Sequence, residues 1–415
     1  YKNAWNTYKY NQIIEVVSAL VLSILIVSVA PWLAQNYFKV PEATTVLYLF
    51  TIYFVADAFL SSLEKFFTGL EQEMYYSSMS LVKIFFVLVY AGFFWFIDRT
   101  GIYYYALAMS LAYCTAALIY TYLLRKKNSK LARKVTWDKK LFKKLFDYAL
   151  PTLLLSSLGL ISSAVDTFFL IGFESLESVG IFNVILPLVA ISPMFLSPIN
   201  SLLLPLISKL EDEKSRLKQL IEALLRLVPY VALYFGLFIA LFPREVIQTV
   251  FGSKWMDLAQ GPLMLAMLGY VLLPFSSYLS TILRGLGLVS ENVKITPILS
   301  VFKIAANMVL IYLFGVYGAV LANILLFLLS IYLIDRIIRK KISFDYPVKF
   351  YGWLTGFAVL SFAFVRIFDI QIYGIPKLLI GGITYTILFA LMGLLVEVID
   401  KQSLQMIRKN IKNFI

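Results

Sequence analysis

Runs of about 20 mostly apolar residues recur almost back to back along this chain, and that recurrence limits its fold more than any motif does. A helix of that length crosses a bilayer core about 30 Å thick. Windows of about 19 residues place spans at 13–34, 45–63, 77–97, 102–124, 148–172, 180–208, 224–243, 262–283, 294–314, 316–335, 350–369 and 375–397. The alternation every second residue that marks a spanning barrel is absent. The expected fold class is therefore an all-α polytopic membrane protein with about twelve transmembrane helices.

Composition agrees with that reading: 60% of the 415 residues are hydrophobic and only 15% are charged. The net charge of +13 does not signal nucleic acid. With a cytoplasmic N-terminus, 29 of the 37 Lys and Arg fall in inner segments and six in outer ones. Such a bias is what membrane insertion produces, with both ends of the chain inside. A lone cysteine, Cys114, excludes an internal disulfide, and the absence of histidine removes the usual acid-base and metal-binding side chain. No catalytic residue and no metal site is assigned, and the chain is read as a non-enzyme.

The two cations left over, Lys83 and Lys303, lie within spans, where insertion of a lysine costs about 2.5–3.5 kcal/mol. They occupy matching places in an internal repeat. GLEQEMYYSSMSLVKI from Gly69 resembles GLGLVSENVKITPILSVFKI from Gly285, and each copy carries S-x-x-K-I early in a span. In both halves the next span but one ends in Arg-Lys-Lys, at 125–127 and 339–341. Copies of equal orientation form a parallel repeat, a trait of transporters. Each lysine either serves a common purpose or snorkels to the inner surface.

Two intramembrane carboxylates stand out. Asp57 lies at nearly the depth of Lys83 on the adjacent span, which suits either a structural ion pair or ion coupling. Asp166, beside Thr167, suits either a coupling sodium ion or proton, or a polar contact between helices. Pro187, Pro193, Pro198 and Pro205 interrupt one span that also holds Asn183 and Asn200, so its freed carbonyls need protein or water partners and it is expected to line a pathway. Asn307 and Asn323 either line the pathway too or bond helix to helix. Two loops are amphipathic. WDKKLFKKLFDY, ending the stretch 125–147, reads as an elbow helix on the inner leaflet, and KLEDEKSRLKQLIEALLR from Lys209 reads as a second surface helix.

The chain resembles the polysaccharide-biosynthesis flippases of the multidrug, oligosaccharidyl-lipid and polysaccharide exporter superfamily, over nearly its whole length. The resemblance is carried by the basic linker at 139–147, the helix-opening Pro151, Asp166, the step Val179, Gly180 and Phe182, and the inner turn in FTGLEQEMYYSSMSLVKI. It implies a two-bundle, MATE-like exporter fold of fourteen helices. Counted that way, this chain starts at the third, and its lack of an initial methionine accords with a sequence missing its first two helices. The parts would be a partial N-terminal bundle at 1–127, a cytoplasmic amphipathic linker at 128–147, a six-helix bundle at 148–341, and two further helices with a cytoplasmic tail at 342–415.

By the same resemblance, the bundles rock about a cavity and carry a polyprenyl-diphosphate-linked oligosaccharide across the cell membrane for cell-surface polysaccharide such as O-antigen. Implied partners are that substrate, membrane lipids and other polysaccharide assembly proteins, with no nucleic acid and no cofactor beyond a coupling sodium ion or proton. The substrate-binding candidates are Lys83 and Lys303 for the diphosphate, Arg284 and Lys65 at the inner mouth, and Asn183 and Asn307 in the cavity. Arg284 and Lys65 also fit ordinary inner-surface cations. Asp57 and Asp166 are the ion-coupling candidates. The alternatives are a cation-coupled multidrug exporter of the same fold and a polytopic glycosyltransferase or polymerase. The latter pair usually carry long outer loops with catalytic groups, whereas the longest outer loop here, 244–261, has no recognisable acid-base pair.

Overall fold

The computed structural model describes residues 2–70, 72–127, 139, 143, 159–160, 162–210, 213–367 and 374–395. The elbow helix, Pro151, most of the basic linker and the C-terminal tail lie outside those residues. Among the described residues the secondary structure is helical, and nine helices are long and apolar enough to cross a membrane. The chain forms two compact units, Tyr1–Leu155 and Ser156–Ile415.

In the first unit, α1 (Lys2–Trp32), α2 (Ala43–Gly69), α3 (Glu73–Phe96) and α4 (Ile102–Lys127) follow the four expected spans. Pro31 lacks an amide proton, and the end of α1 loosens into a π turn at Leu33–Tyr37. Helix α2 packs between α1 and α4, with α3 on the far side of α4. The contact is close because α4 presents Ala108, Ala112 and Ala116 at a spacing of four, all buried. Larger residues close one end of the unit: Trp5, Tyr8, Leu63, Phe67, Met79 and Tyr120 form its core.

In the second unit, α5 (Ser162–Phe173), α6 (Leu176–Val189) and α7 (Ile191–Lys209) are followed by α8 (Lys214–Leu241) and the short α9 (Pro243–Phe251). Then come α10 (Met256–Gly269), α11 (Leu272–Gly285), α12 (Val289–Lys341), α13 (Val348–Ile367) and α14 (Ile375–Leu395). Two expected spans are each broken in the middle. Pro193 and Pro274 sit at the third positions of α7 and α11, where a helix has no use for an amide proton, so each starts a new helix after Ala190 or Tyr270–Val271.

The segment from Lys209 is not a separate surface helix. From Lys214 onward it is the first part of α8, and Leu217, Leu220, Ile221 and Leu224 are buried in the core of the unit rather than laid on a leaflet. Helices α13 and α14 pack on α8 through Leu237, Phe350, Leu354, Tyr385 and Phe389.

The 53-residue α12 is two antiparallel arms, which accounts for two of the sequence-derived spans. Gly315 departs from helical geometry at φ 54° and ψ −129°, which glycine adopts freely and other residues do not. Three residues on, Gly318 lies against the opposing arm so closely that an added Cβ would sit 1.9 Å from the Leu310 carbonyl oxygen. We expect Gly318→Ala to lower stability by about 1–3 kcal/mol, the usual cost of overpacking, read as a drop in melting temperature of the purified protein. An unchanged melting temperature counts against the hairpin.

Candidate functional site

Each unit places one span lysine on a carboxylate, and neither carboxylate is one the sequence paired with it. In the second unit Lys303, on the first arm of α12, donates to Asp166 Oδ2 on α5 at 2.7 Å. Both side chains are 8% exposed. The other carboxylate oxygen, Oδ1, accepts from Asn323 Nδ2 on the second arm at 2.9 Å. Lys303 and Asn323 would stand about 30 Å apart on one straight helix at ~1.5 Å per residue, so only the turn at Gly315 lets both reach Asp166.

The rest of this cluster is buried as well. Asn323 Nδ2 also donates to the Ala319 carbonyl at 2.9 Å, and Asn307 Nδ2 donates to the Lys303 carbonyl at 3.0 Å. Tyr270, set in the break between α10 and α11, brings its side chain close to Asn323. Its hydroxyl and Asn307 Oδ1 are buried without a hydrogen-bond partner among the described residues. Such orphaned oxygens are uncommon in a folded interior and mark a place for a ligand, water or rearrangement.

In the first unit Lys83 on α3 donates to Glu64 Oε1 on α2 at 2.7 Å and lies 5.5 Å from the centre of the Tyr113 ring on α4. This corrects the expected Asp57–Lys83 pair. Asp57 is half-buried on the same helix as Glu64 and makes no hydrogen bond or ion pair among the described residues. Glu64 was missed because the expected span stopped at Leu63, and Tyr113 because an aromatic inside an apolar run gives no signal. Lys65 pairs with Glu15 of α1, whose Oε1 also accepts from Asn11 at 3.0 Å.

Of the four candidate cations, Arg284 differs. It is exposed at the end of α11, and its guanidinium donates to the Thr281 hydroxyl at 3.1 Å rather than to a carboxylate. Asn183 is exposed on α6, whereas Asn307 is fully buried. Among the described residues no three acidic, His or Cys side chains converge on a point. Among the described residues three of the four cations meet a carboxylate and Arg284 does not.

A model of the polysaccharide biosynthesis protein family matches residues 8–211. An uncharacterized membrane protein of Methanocaldococcus jannaschii is 26% identical over 79% of this chain and 68% of its own length. Among solved structures, the lipid II flippase MurJ in an inward closed conformation superposes with a TM-score of 0.68 at 13% identity, over 95% of this chain and 83% of that one. An inward-facing multidrug resistance MATE family transporter of the MOP superfamily gives 0.62 at 15% identity, over 82% and 86%. A MOP superfamily transporter from Pyrococcus furiosus, described as having a binding pocket of reverse polarity, gives 0.51 at 15%, over 82% and 84%. The resemblance read from the sequence therefore holds, and the fold is that of the MOP transporters and flippases.

Removing one partner of a buried ion pair leaves an uncompensated charge, at a cost of about 3–5 kcal/mol. We expect Asp166→Asn to melt well below the parent and the double variant Asp166→Asn/Lys303→Met to recover much of the loss. Glu64→Gln should cost less, because Lys83 and Glu64 are 16% and 25% exposed. Equal losses for the single and double variants at Asp166 would show that the pair is not coupled.

Proposed function

We propose that this chain is a flippase that moves a lipid-linked oligosaccharide with a diphosphate head group across the cell membrane by alternating access. The match to the polysaccharide biosynthesis family and the fold shared with flippases and exporters support a transporter acting in that chemistry. The observation that carries the finer reading is Arg284: an exposed guanidinium at the end of a span with no carboxylate partner among the described residues. Guanidinium groups bind phosphate oxygens through paired, charge-assisted hydrogen bonds, stronger than neutral ones.

Lys83 and Lys303 enter this reading differently. An ammonium held by a carboxylate presents almost no net charge to a passing anion. To meet a diphosphate, each would first have to leave Glu64 or Asp166. Lys83 is the easier of the two to free, being less buried and close to a second carboxylate, Asp57, that shares its field. Arg284 is thus the candidate for the head group in the second unit, and Lys83 the candidate in the first.

A second reading, a cation-coupled multidrug exporter, is favoured by Asp57, a half-buried carboxylate without a partner that suits a cationic ligand. Reconstituted vesicles separate the two. With a polyprenyl-diphosphate oligosaccharide, the parent should translocate and Arg284→Ala should fall by about tenfold, the equivalent of one charge-assisted hydrogen bond. Translocation unchanged in Arg284→Ala removes the head-group assignment. Transport of organic cations that depends on Asp57, with none of the lipid-linked sugar, replaces the flippase reading by the exporter.

A further inference from the structure

Intramembrane carboxylates commonly hold coupling ions, and Asp166 is one from which the sequence drew that expectation. A hard cation such as sodium needs several oxygen donors turned toward it. Some are here. Asp166 supplies the charge, and the hydroxyl of Tyr270, close to Asn323, is a buried oxygen that makes no hydrogen bond of good geometry among the described residues.

The remaining groups point the wrong way for a free metal ion. Both oxygens of Asp166 are already met by N–H donors, Lys303 Nζ on one and Asn323 Nδ2 on the other. Turning the Asn323 amide over would not help. Its Nδ2 donates to the Ala319 carbonyl as well as to Asp166, and both of these acceptors require the nitrogen. A sodium ion added to this cluster would also leave an unneutralised positive charge in a dry, low-dielectric interior, where the Asp166–Lys303 pair alone is neutral. The residues at Asp166 do not fit a free coupling cation.

We propose that the ammonium of Lys303 is a tethered cation: it permanently fills the monovalent-cation position that Asp166 would otherwise offer, and the site becomes a sodium site only when the amine is removed. Attachment to α12 gives the amine an effective concentration at Asp166 that no soluble ion at physiological levels matches. The pair thus ties α5 to α12 at all times, where an exchangeable ion would tie them only while bound. Asn323 holds the carboxylate from the other arm of the hairpin, so all three helical segments move as one body around this point. Energy for transport then has to enter elsewhere, and Asp57 in the first unit, half-buried and without a partner among the described residues, is a place open to a soluble cation.

This inference rests on the ion-pair geometry and not on what is carried, and its test measures no transport, so its failure leaves the flippase reading standing. The full chain is purified in detergent with Asp57→Asn as the background, which removes the half-buried span carboxylate of the first unit that has no partner among the described residues. Its melting temperature is recorded in sodium chloride and in N-methylglucamine chloride of equal ionic strength. The expected result is no difference between the salts. In the same background, Lys303→Met should melt lower without sodium and rise by several degrees, saturably, as sodium or methylammonium is added. Adding Asp166→Asn to that variant should abolish the rise.

A saturable sodium response with Lys303 in place overturns the proposal, as does a monodisperse Lys303→Met protein that responds to neither cation. Where Lys303→Met yields no monodisperse protein, the Asp57→Asn protein decides alone: indifference to sodium supports the tethered amine, and a saturable response overturns it.

Discussion

A charge inside a bilayer has no water to solvate it, and the interior of this protein is organised around that fact. Lys303 lies where insertion is costly, and it is tolerated because Asp166 stands 2.7 Å from its ammonium. Meeting that requirement fixes much else. Lys303 and Asn323 must both face α5, so α12 has to double back, and the chain doubles back at Gly315, the one residue there in a left-handed conformation. The reversal in turn needs the two arms to touch, which Gly318 allows by having no side chain. A single ion pair thereby accounts for a hairpin, a pair of glycines and the positions of two asparagines.

Helix breaks serve the same end. Prolines at the third positions of α7 and α11 start new helices partway across the expected spans, and Tyr270 falls in the second of these gaps. Its hydroxyl is buried close to Asn323, which holds the buried carboxylate of Asp166. The first unit solves the problem more loosely. Lys83 is held by Glu64 and the face of Tyr113, partly open to its surroundings, while Asp57 stays without a partner. The repeat in sequence puts the two lysines at matching positions, yet one carboxylate comes from the preceding helix and the other from a helix 137 positions earlier. The similarity is one of requirement rather than of wiring.

The family match covers residues 8–211 and the fold is one shared with flippases and exporters, while the local charge balance separates the candidate cations in a way neither does. Among the described residues Arg284 meets no carboxylate, whereas the two span lysines each do. Lys65, paired with Glu15 at the same end of the first unit as the aromatic core, reads as an ordinary link between α1 and α2.

The sequence by itself determined that this is a helical membrane protein, roughly where its spans lie, and which few polar residues were too costly in lipid to be incidental. Those are local properties: hydropathy over about 20 residues, and the expense of a single Lys or Asp among them. Lys83, Lys303, Asp57 and Asp166 were legible for that reason. Which carboxylate meets which lysine was decided only in three dimensions, because the partners are distant in sequence and reach depends on helix rotation and on where a helix breaks or turns back. Glu64 lay one residue beyond an estimated span end, and Tyr270 was one aromatic among 27 tyrosines, so neither carried a signal until packing brought it to a charge.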